Sequence, residues 1–290
     1  MASDYLSGLV NQVLIGLYEG SFYWLLAAGL TLIFGVTRIL NFAHASLFVM
    51  GAYVAWSIYQ YTESFVVSIL VASISIGLLG LFLEITLIRR VYNIPSTYQL
   101  LLTFGIVLVL NDLQKILWGK SPKYIEIPSY LREHIYIGGV AMSYYSLMII
   151  LIALATFLLL EFFINRTLWG LRVRAVWRDT VVAQVLRINP ENIYMTIFFI
   201  GCLLAGLGGG LIVALHTVGP GLGDYLIIQA FLVVVLAGLG NIAGAYLTAL
   251  LIGVLSSLFI WLIPEIDVLV LYAIAVIILL IKPSGLFGER

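Results

Sequence analysis

Stretches of about twenty or more apolar residues, almost free of charge, recur along the whole chain. Each is long enough to cross the hydrocarbon of a bilayer as a helix, which takes ~20 residues at a rise of ~1.5 Å each. They run roughly over residues 9–36, 42–60, 64–88, 96–118, 143–164, 193–215, 225–240, 244–263 and 266–282. Lipid offers no partner to a backbone N–H or C=O, so such segments must satisfy themselves as helices. The expected fold is therefore an all-α, polytopic membrane helix bundle forming a single transmembrane domain over residues 1–290. The stretch 225–240 is short, either a half-span or the first part of one broken unit with 244–263, so the expectation is eight or nine spans. The first stretch follows Met-Ala-Ser-Asp, with no basic region ahead of it, and is too long for a signal peptide; it is read as a span.

Composition excludes the main alternatives. Hydrophobic residues make up 63% and charged residues 10%, against about 25% charged in an average soluble domain. So few charges cannot cover a water-soluble fold, which argues against a soluble enzyme or a nucleic-acid binder. The 14 basic and 14 acidic residues cancel and leave no bulk field for an anionic partner. The single cysteine, Cys202, lies in an apolar run and reads as a small packing residue.

Two connections are long and polar. The first, 119–142, holds Lys120, Lys123, Arg132, Glu126 and Glu133. The second, about 165–191, holds Arg166, Arg172, Arg174, Arg178 and Arg187 against Asp179 and Glu191, which marks it as cytoplasmic by the positive-inside rule. Counting crossings from it puts Arg38, Arg89, Arg90, Lys282 and Arg290 on the same side, with the N-terminus outside and the C-terminus inside. Within this loop Val173, Val176, Trp177, Val181, Val185 and Ile188 recur at helical steps and predict one short helix over about 171–188. It either rests on anionic headgroups or docks into a cytoplasmic partner. Asn189-Pro190 supplies an N-cap and a first-turn proline for the next span.

Catalytic and nucleotide signatures fail on inspection. Gly119-Lys120-Ser121 ends like a P-loop, but Gln114 stands where its first glycine belongs and Pro122 follows. Gly238-Leu-Gly240 fits the dinucleotide glycine spacing, yet residues 246–263 have no polar face for a soluble unit, and a broken membrane helix explains the glycines better. His44, His134 and His216 share no metal-ligand spacing, and no nucleophile, base and acid converge, so the chain is not expected to be an enzyme.

Small residues at four-residue steps, Gly16/Gly20, Gly206/Gly210, Gly240/Gly244 and Ala245/Ala249/Gly253, point to close helix packing. Gly206–Gly210 and Gly219–Gly223 are also candidate helix breaks. Polar residues inside spans point to function by default. Glu19, Asn41, His44 and Gln229 are candidates for the substrate pathway, with structural hydrogen bonding as the equal alternative. Glu84 and Glu161 are expected to pair with Arg89, Arg90 or Arg166, and Asp112 sits near a span end.

Gly29-Leu-Thr-Leu-Ile-Phe-Gly35, Asn41-Phe-Ala-His44 and Met50-Gly-Ala-Tyr53 resemble the opening of permease subunits of high-affinity branched-chain amino acid ABC importers. Leu101-Leu-Thr-Phe-Gly105, Ile137-Gly-Gly-Val140, Phe231 through Gly240 and Lys282-Pro-Ser-Gly-Leu-Phe-Gly288 continue the likeness in order. Val181-Val182, Arg187 and Ala45 depart from the usual pattern. The resemblance implies a prokaryotic cytoplasmic-membrane importer with a second permease subunit, two ATP-binding cassette subunits and an extracytoplasmic solute-binding protein. No cofactor is expected in this chain, ATP being bound by the partner subunits. It also implies that the 171–188 helix docks in the ATPase, with Arg174, Trp177, Arg178, Asp179, Ala183 and Ile188 as coupling residues. The loop 119–142, with Tyr124, Tyr130 and Tyr136, is the candidate surface for the binding protein. Substrates carried by similar systems include branched-chain and other amino acids, urea and short amides. The alternatives of another class are a self-contained secondary transporter or channel, with Glu19 or Asp112 as ion site, and a scaffold that moves nothing.

Overall fold

The computed structural model describes residues 2–137, 140–264 and 267–288. Gly138, Gly139 and Arg290, used above in the motif and in the charge count, lie outside them. The described chain is helical almost throughout. α1 (Ala2–Thr37), α2 (Ala43–Thr62), α3 (Phe65–Thr86) and α4 (Ser96–Trp118) come first, with a 3₁₀ turn at Ile88–Val91. A short α5 (Ser129–Arg132) and an antiparallel hairpin, β1 (His134–Ile137) with β2 (Val140–Ser143), lead to α6 (Tyr144–Arg166). The arginine-rich connection follows as α7 (Leu168–Arg178) and α8 (Thr180–Val185). Then come α9 (Pro190–Ile212), α10 (Leu222–Ala237), α11 (Ile242–Leu262) and α12 (Asp267–Ile281).

Among the described residues six helices are both long and apolar enough to cross a membrane: α1, α3, α4, α6, α9 and α11. α2 is the buried centre of the bundle, and α10 and α12 are shorter apolar helices. The helix ends follow local chemistry. Side-chain oxygens of Ser143, Thr167, Asn189 and Asn241 accept from the first-turn amides of α6, α7, α9 and α11, satisfying donors a helix N-terminus otherwise leaves open.

The core forms where α1, α2 and α9 meet, with α3 and α11 packed on either side. Trp24 is fully buried on α1, and its indole N–H donates to Thr156 Oγ1 on α6 at 3.0 Å. Close backbone approach explains the glycines. A methyl on Gly51 of α2 would lie 2.8 Å from Gly206 Cα on α9, and one on Gly20 of α1 would lie 2.6 Å from Leu250 Cα on α11. Without a hydrophobic drive between helices in lipid, such contact is a main source of association.

Three expectations need correction. α9 runs unbroken through Gly206–Gly210, because those glycines abut α2 and α3 and lipid offers their amides no competing partner. Gly240 lies ahead of α11, with φ +86°, so it does not share a helix face with Gly244. The single helix expected over 171–188 is two, divided at Asp179, which ends α7 and caps α8.

Candidate translocation and coupling sites

Polar side chains concentrate at three levels. The first is a cleft of about 520 Å³ bounded by α1, α10, α11, α12 and the segment after α9. Gln12, Ile15, Glu19 and Phe22 line it from α1, at the three- and four-residue steps of one helix face. Leu222, Leu226 and Gln229 do the same from α10. Ser256 and Ser257 of α11, Tyr272 of α12, and His216 complete its polar wall. Ser257 Oγ donates to the Gln12 backbone carbonyl at 2.9 Å. The Ser256 hydroxyl is buried and makes no hydrogen bond among the described residues. His216 lies outside the helices, where burial against Phe22 lowers its imidazole pKa from the ordinary value.

Of the four expected pathway residues, Glu19 and Gln229 meet in this cleft. Asn41 and His44 lie elsewhere in the bundle. Asn41 Oδ1 accepts from the Ala43 amide at the start of α2, while its Nδ2 is buried without a partner among the described residues. His44 is fully buried among α1, α2 and α9, in contact range of Gly29, and neither ring nitrogen has a partner among the described residues. Asp112 is exposed and paired with Lys115 at 2.9 Å.

The second level is the arginine-rich end. α7 packs inward through Gly170, Val173 and Val176, and Ala183 of α8 is buried as well. Arg174 donates to the Ile164 carbonyl of α6, and Arg38 to the Trp177 carbonyl at 3.5 Å. Asp179 Oδ1 accepts from Val181 and Val182 at 2.8 and 3.0 Å. Val181 and Val185 do not continue the α7 stripe inward. With Val182 and Leu186 they form an exposed apolar ledge, Val185 being 78% exposed. Trp177 and Arg178 stand beside it, and Ile188 is half-buried.

Beneath the ledge, a cleft of about 750 Å³ reaches Arg89. Arg89 joins buried Glu84 to Glu191 at the start of α9, and the Tyr92 hydroxyl also donates to Glu84 at 3.2 Å. Glu84 holds the Arg89 guanidinium pKa above its usual value, and burial raises the Tyr92 phenol. Glu161 accepts from Asn165 rather than pairing with Arg166. The final segment returns to the same end. Leu286 and Phe287 amides donate to the Leu236 and Ala237 carbonyls at 2.6 and 3.1 Å, and Asn241 Nδ2 donates to the Phe287 carbonyl at 3.0 Å. This segment thus closes the open C-terminal carbonyls of α10 and ties them to the α11 cap.

The third level is the hairpin end. Tyr124, Tyr130 and Tyr136 are all exposed there. Their loop is held to the segment after α9 by Ile125 N–H to Val213 O at 2.9 Å and by reciprocal bonds between Lys123 and Val218 at 2.8 Å.

The family described as branched-chain amino acid transport system / permease component matches residues 12–279. The chain belongs to this family. Like other members, it is a membrane permease component. Its relatives include the high-affinity branched-chain amino acid transport system permease protein BraD of Pseudomonas aeruginosa, 28% identical, covering 98% of this chain and 96% of that one. LivH of Escherichia coli, of the same description, is 26% identical over 97% of this chain and 96% of its own. The fructose import permease FrcC of Rhizobium meliloti is 26% identical over 64% of this chain and 53% of its own. Among solved structures, PsaBC from Streptococcus pneumoniae in complex with Fab is similar in fold, with TM-score 0.54, 15% identity and coverage of 98% and 97% of the two chains.

Gln12, Ser256 and Ser257 escaped the sequence reading, and His216 entered it only as a rejected metal ligand. The step 12, 15, 19, 22 on α1 was the available signal, since it places two polar groups on one otherwise apolar face. Asn111 of α4 also escaped it. Its Nδ2 donates to Asp224 at 3.1 Å, while Gln114 Nε2 donates to the Ser46 carbonyl at 3.0 Å, so polar bonds join α4 to α10 and α2.

Proposed function

We propose that this chain is one permease subunit of a prokaryotic ABC importer carrying branched-chain or closely related amino acids. The observation that carries the reading is the family match over residues 12–279 combined with a docking ledge of the right chemistry. Val181, Val182, Val185 and Leu186 leave an apolar strip unburied at the end where cationic residues gather. The curated permeases that match over nearly their whole length are branched-chain amino acid permeases, which favours that substrate class over the fructose carried by the shorter match.

In this reading the arginine-rich end faces the cytoplasm and the N-terminus faces outward, in the cytoplasmic membrane. Two ATPase subunits seat on the α7–α8 element of this chain and of a second, similar permease. Their closure on ATP pushes the element as a rigid body. Arg38, bonded to Trp177, and Arg89, bonded to Glu84 and Glu191, pass the displacement to α1, α3 and α9. A binding protein delivers substrate at the hairpin end, where Tyr124, Tyr130 and Tyr136 are presented, and the Glu19–Gln229 cleft lies on the route inward.

Val182→Asp tests the docking ledge. The expected result is loss of ATPase subunits from the purified complex with the fold intact, and full retention contradicts the ledge. Tyr130→Ala with Tyr136→Ala tests the delivery surface, where affinity for the binding protein is expected to fall at least tenfold. Unchanged affinity contradicts that assignment.

A further inference from the structure

We propose that the cleft floored by Glu19 and Gln229 is a binding site for the amino acid itself, with the Glu19 carboxylate taking the α-ammonium. This rests on the importer reading and adds a ligand and an orientation to it. The cleft volume, about 520 Å³, falls in the ~300–1,000 Å³ range of small-molecule sites.

Its lining is asymmetric in charge. Among the described residues that line it, Glu19 is the one carboxylate and none is a lysine or arginine. A carboxylate in a partly dry site attracts a cationic centre and repels an anion, and the effect strengthens as water is excluded. A monocarboxylate is therefore disfavoured. A zwitterion is accepted if its own carboxylate lies away from Glu19 and meets neutral donors. The cleft offers such donors in the Gln229 carboxamide, 6% exposed, and in the buried Ser256 hydroxyl, which has no partner among the described residues. Ile15, Phe22, Leu226, Ile260 and Leu271 supply an apolar part of the wall that suits an aliphatic side chain, beside the polar groups of Gln12, His216, Ser257 and Tyr272. Among the described lining residues an anionic side chain would meet no lysine or arginine.

The test is a thiol-protection measurement on the intact complex in lipid nanodiscs. The native Cys202 is fully buried, so in an Ile15→Cys variant the new thiol on the cleft wall is the one in this chain open to a maleimide, and labelling is read on this chain after the subunits are separated. Leucine at millimolar concentration is expected to slow labelling at least fivefold. Its skeleton without the ammonium, 4-methylpentanoate, is expected to leave the rate unchanged. Adding Glu19→Gln is expected to abolish the leucine protection, and Glu19→Asp to restore part of it. The proposal is overturned if leucine gives no protection, if 4-methylpentanoate protects equally, or if protection survives Glu19→Gln. The assay uses no ATP. A complex that shows leucine protection but no ATP-driven uptake would remove the importer reading and leave the site standing.

Discussion

Glu84, wholly buried in α3, receives both Nε and Nη2 of Arg89 at 3.3 and 3.0 Å. The remaining amino group of Arg89 reaches Glu191 at 3.2 Å, so one guanidinium ties the end of α3 to the first turn of α9. The two halves of this bridge are unequal, because Glu84 is shielded and Glu191 is open to solvent.

That inequality gives a prediction. Arg89→Ala leaves the buried Glu84 carboxylate with the Tyr92 hydroxyl but without its guanidinium, and breaking a buried pair costs up to about 3–5 kcal/mol. Glu191→Ala removes only the exposed arm, for which ~0.2–1 kcal/mol is typical. Thermal unfolding in detergent, compared side by side, should rank Arg89→Ala well below Glu191→Ala. Equal effects would show that the buried half of the bridge contributes nothing special.

Glycine positions should separate by what faces them. Gly51→Ala drives a methyl to 2.8 Å from the Gly206 Cα, a backbone atom that cannot yield cheaply. Overpacking of this kind costs about 1–3 kcal/mol. Among the described residues nothing lies within 4 Å of a methyl added to Gly105 of α4, so Gly105→Ala should be neutral or stabilising by up to ~1 kcal/mol through helix propensity. Unfolding measurements that give both variants the same sign of change would contradict the packing account.

Asp179→Ala removes the acceptor for two amides at the start of α8, an N-cap loss of about 1 kcal/mol. α8 is only six residues long, so it should fray. Amides 181–185 are expected to exchange with solvent several-fold faster, and uptake should fall with them. Unchanged exchange there would mean that the ledge is held by other contacts.

The returning C-terminal segment should matter out of proportion to its size. Gly285 adopts φ +83°, and a methyl on it would lie 2.6 Å from the Gly238 amide nitrogen. Gly285→Ala therefore combines a left-handed backbone penalty of about 1–2 kcal/mol with a clash at the α10–α11 link. Faster hydrogen exchange at residues 286–288 is the expected sign, and wild-type protection there would contradict it.

Much of the bundle was legible because lipid imposes its own rule: an apolar run of spanning length has no stable alternative to a helix. Asn189 also marked a helix start directly, through capping chemistry. The α7–α8 element was legible as apolar and helical but not in its shape. The period that links Val173 and Val176 to Val181 and Val185 assumes one continuous helix. Asp179 ends that helix by turning its carboxylate to the next two amides, which rotates Val181 and Val185 outward. Gly206–Gly210 misled in the opposite direction, since glycine weakens a helix in water but not where neighbouring backbones press against it. The cleft was half legible. Glu19 and Gln229 stood out as polar residues in apolar spans, while Gln12, His216 and Ser256 gained meaning only when five chain segments met.

The most direct measurement is uptake of labelled leucine into proteoliposomes holding the complex that this chain forms with its co-purifying subunits, with ATP supplied on the ATPase side or withheld. Accumulation only with ATP, lost when Val182→Asp removes the ATPase subunits, is the predicted result. Leucine entry at the same rate without ATP, or with this chain alone in the membrane, would contradict an ABC permease and turn attention to a gradient-driven carrier.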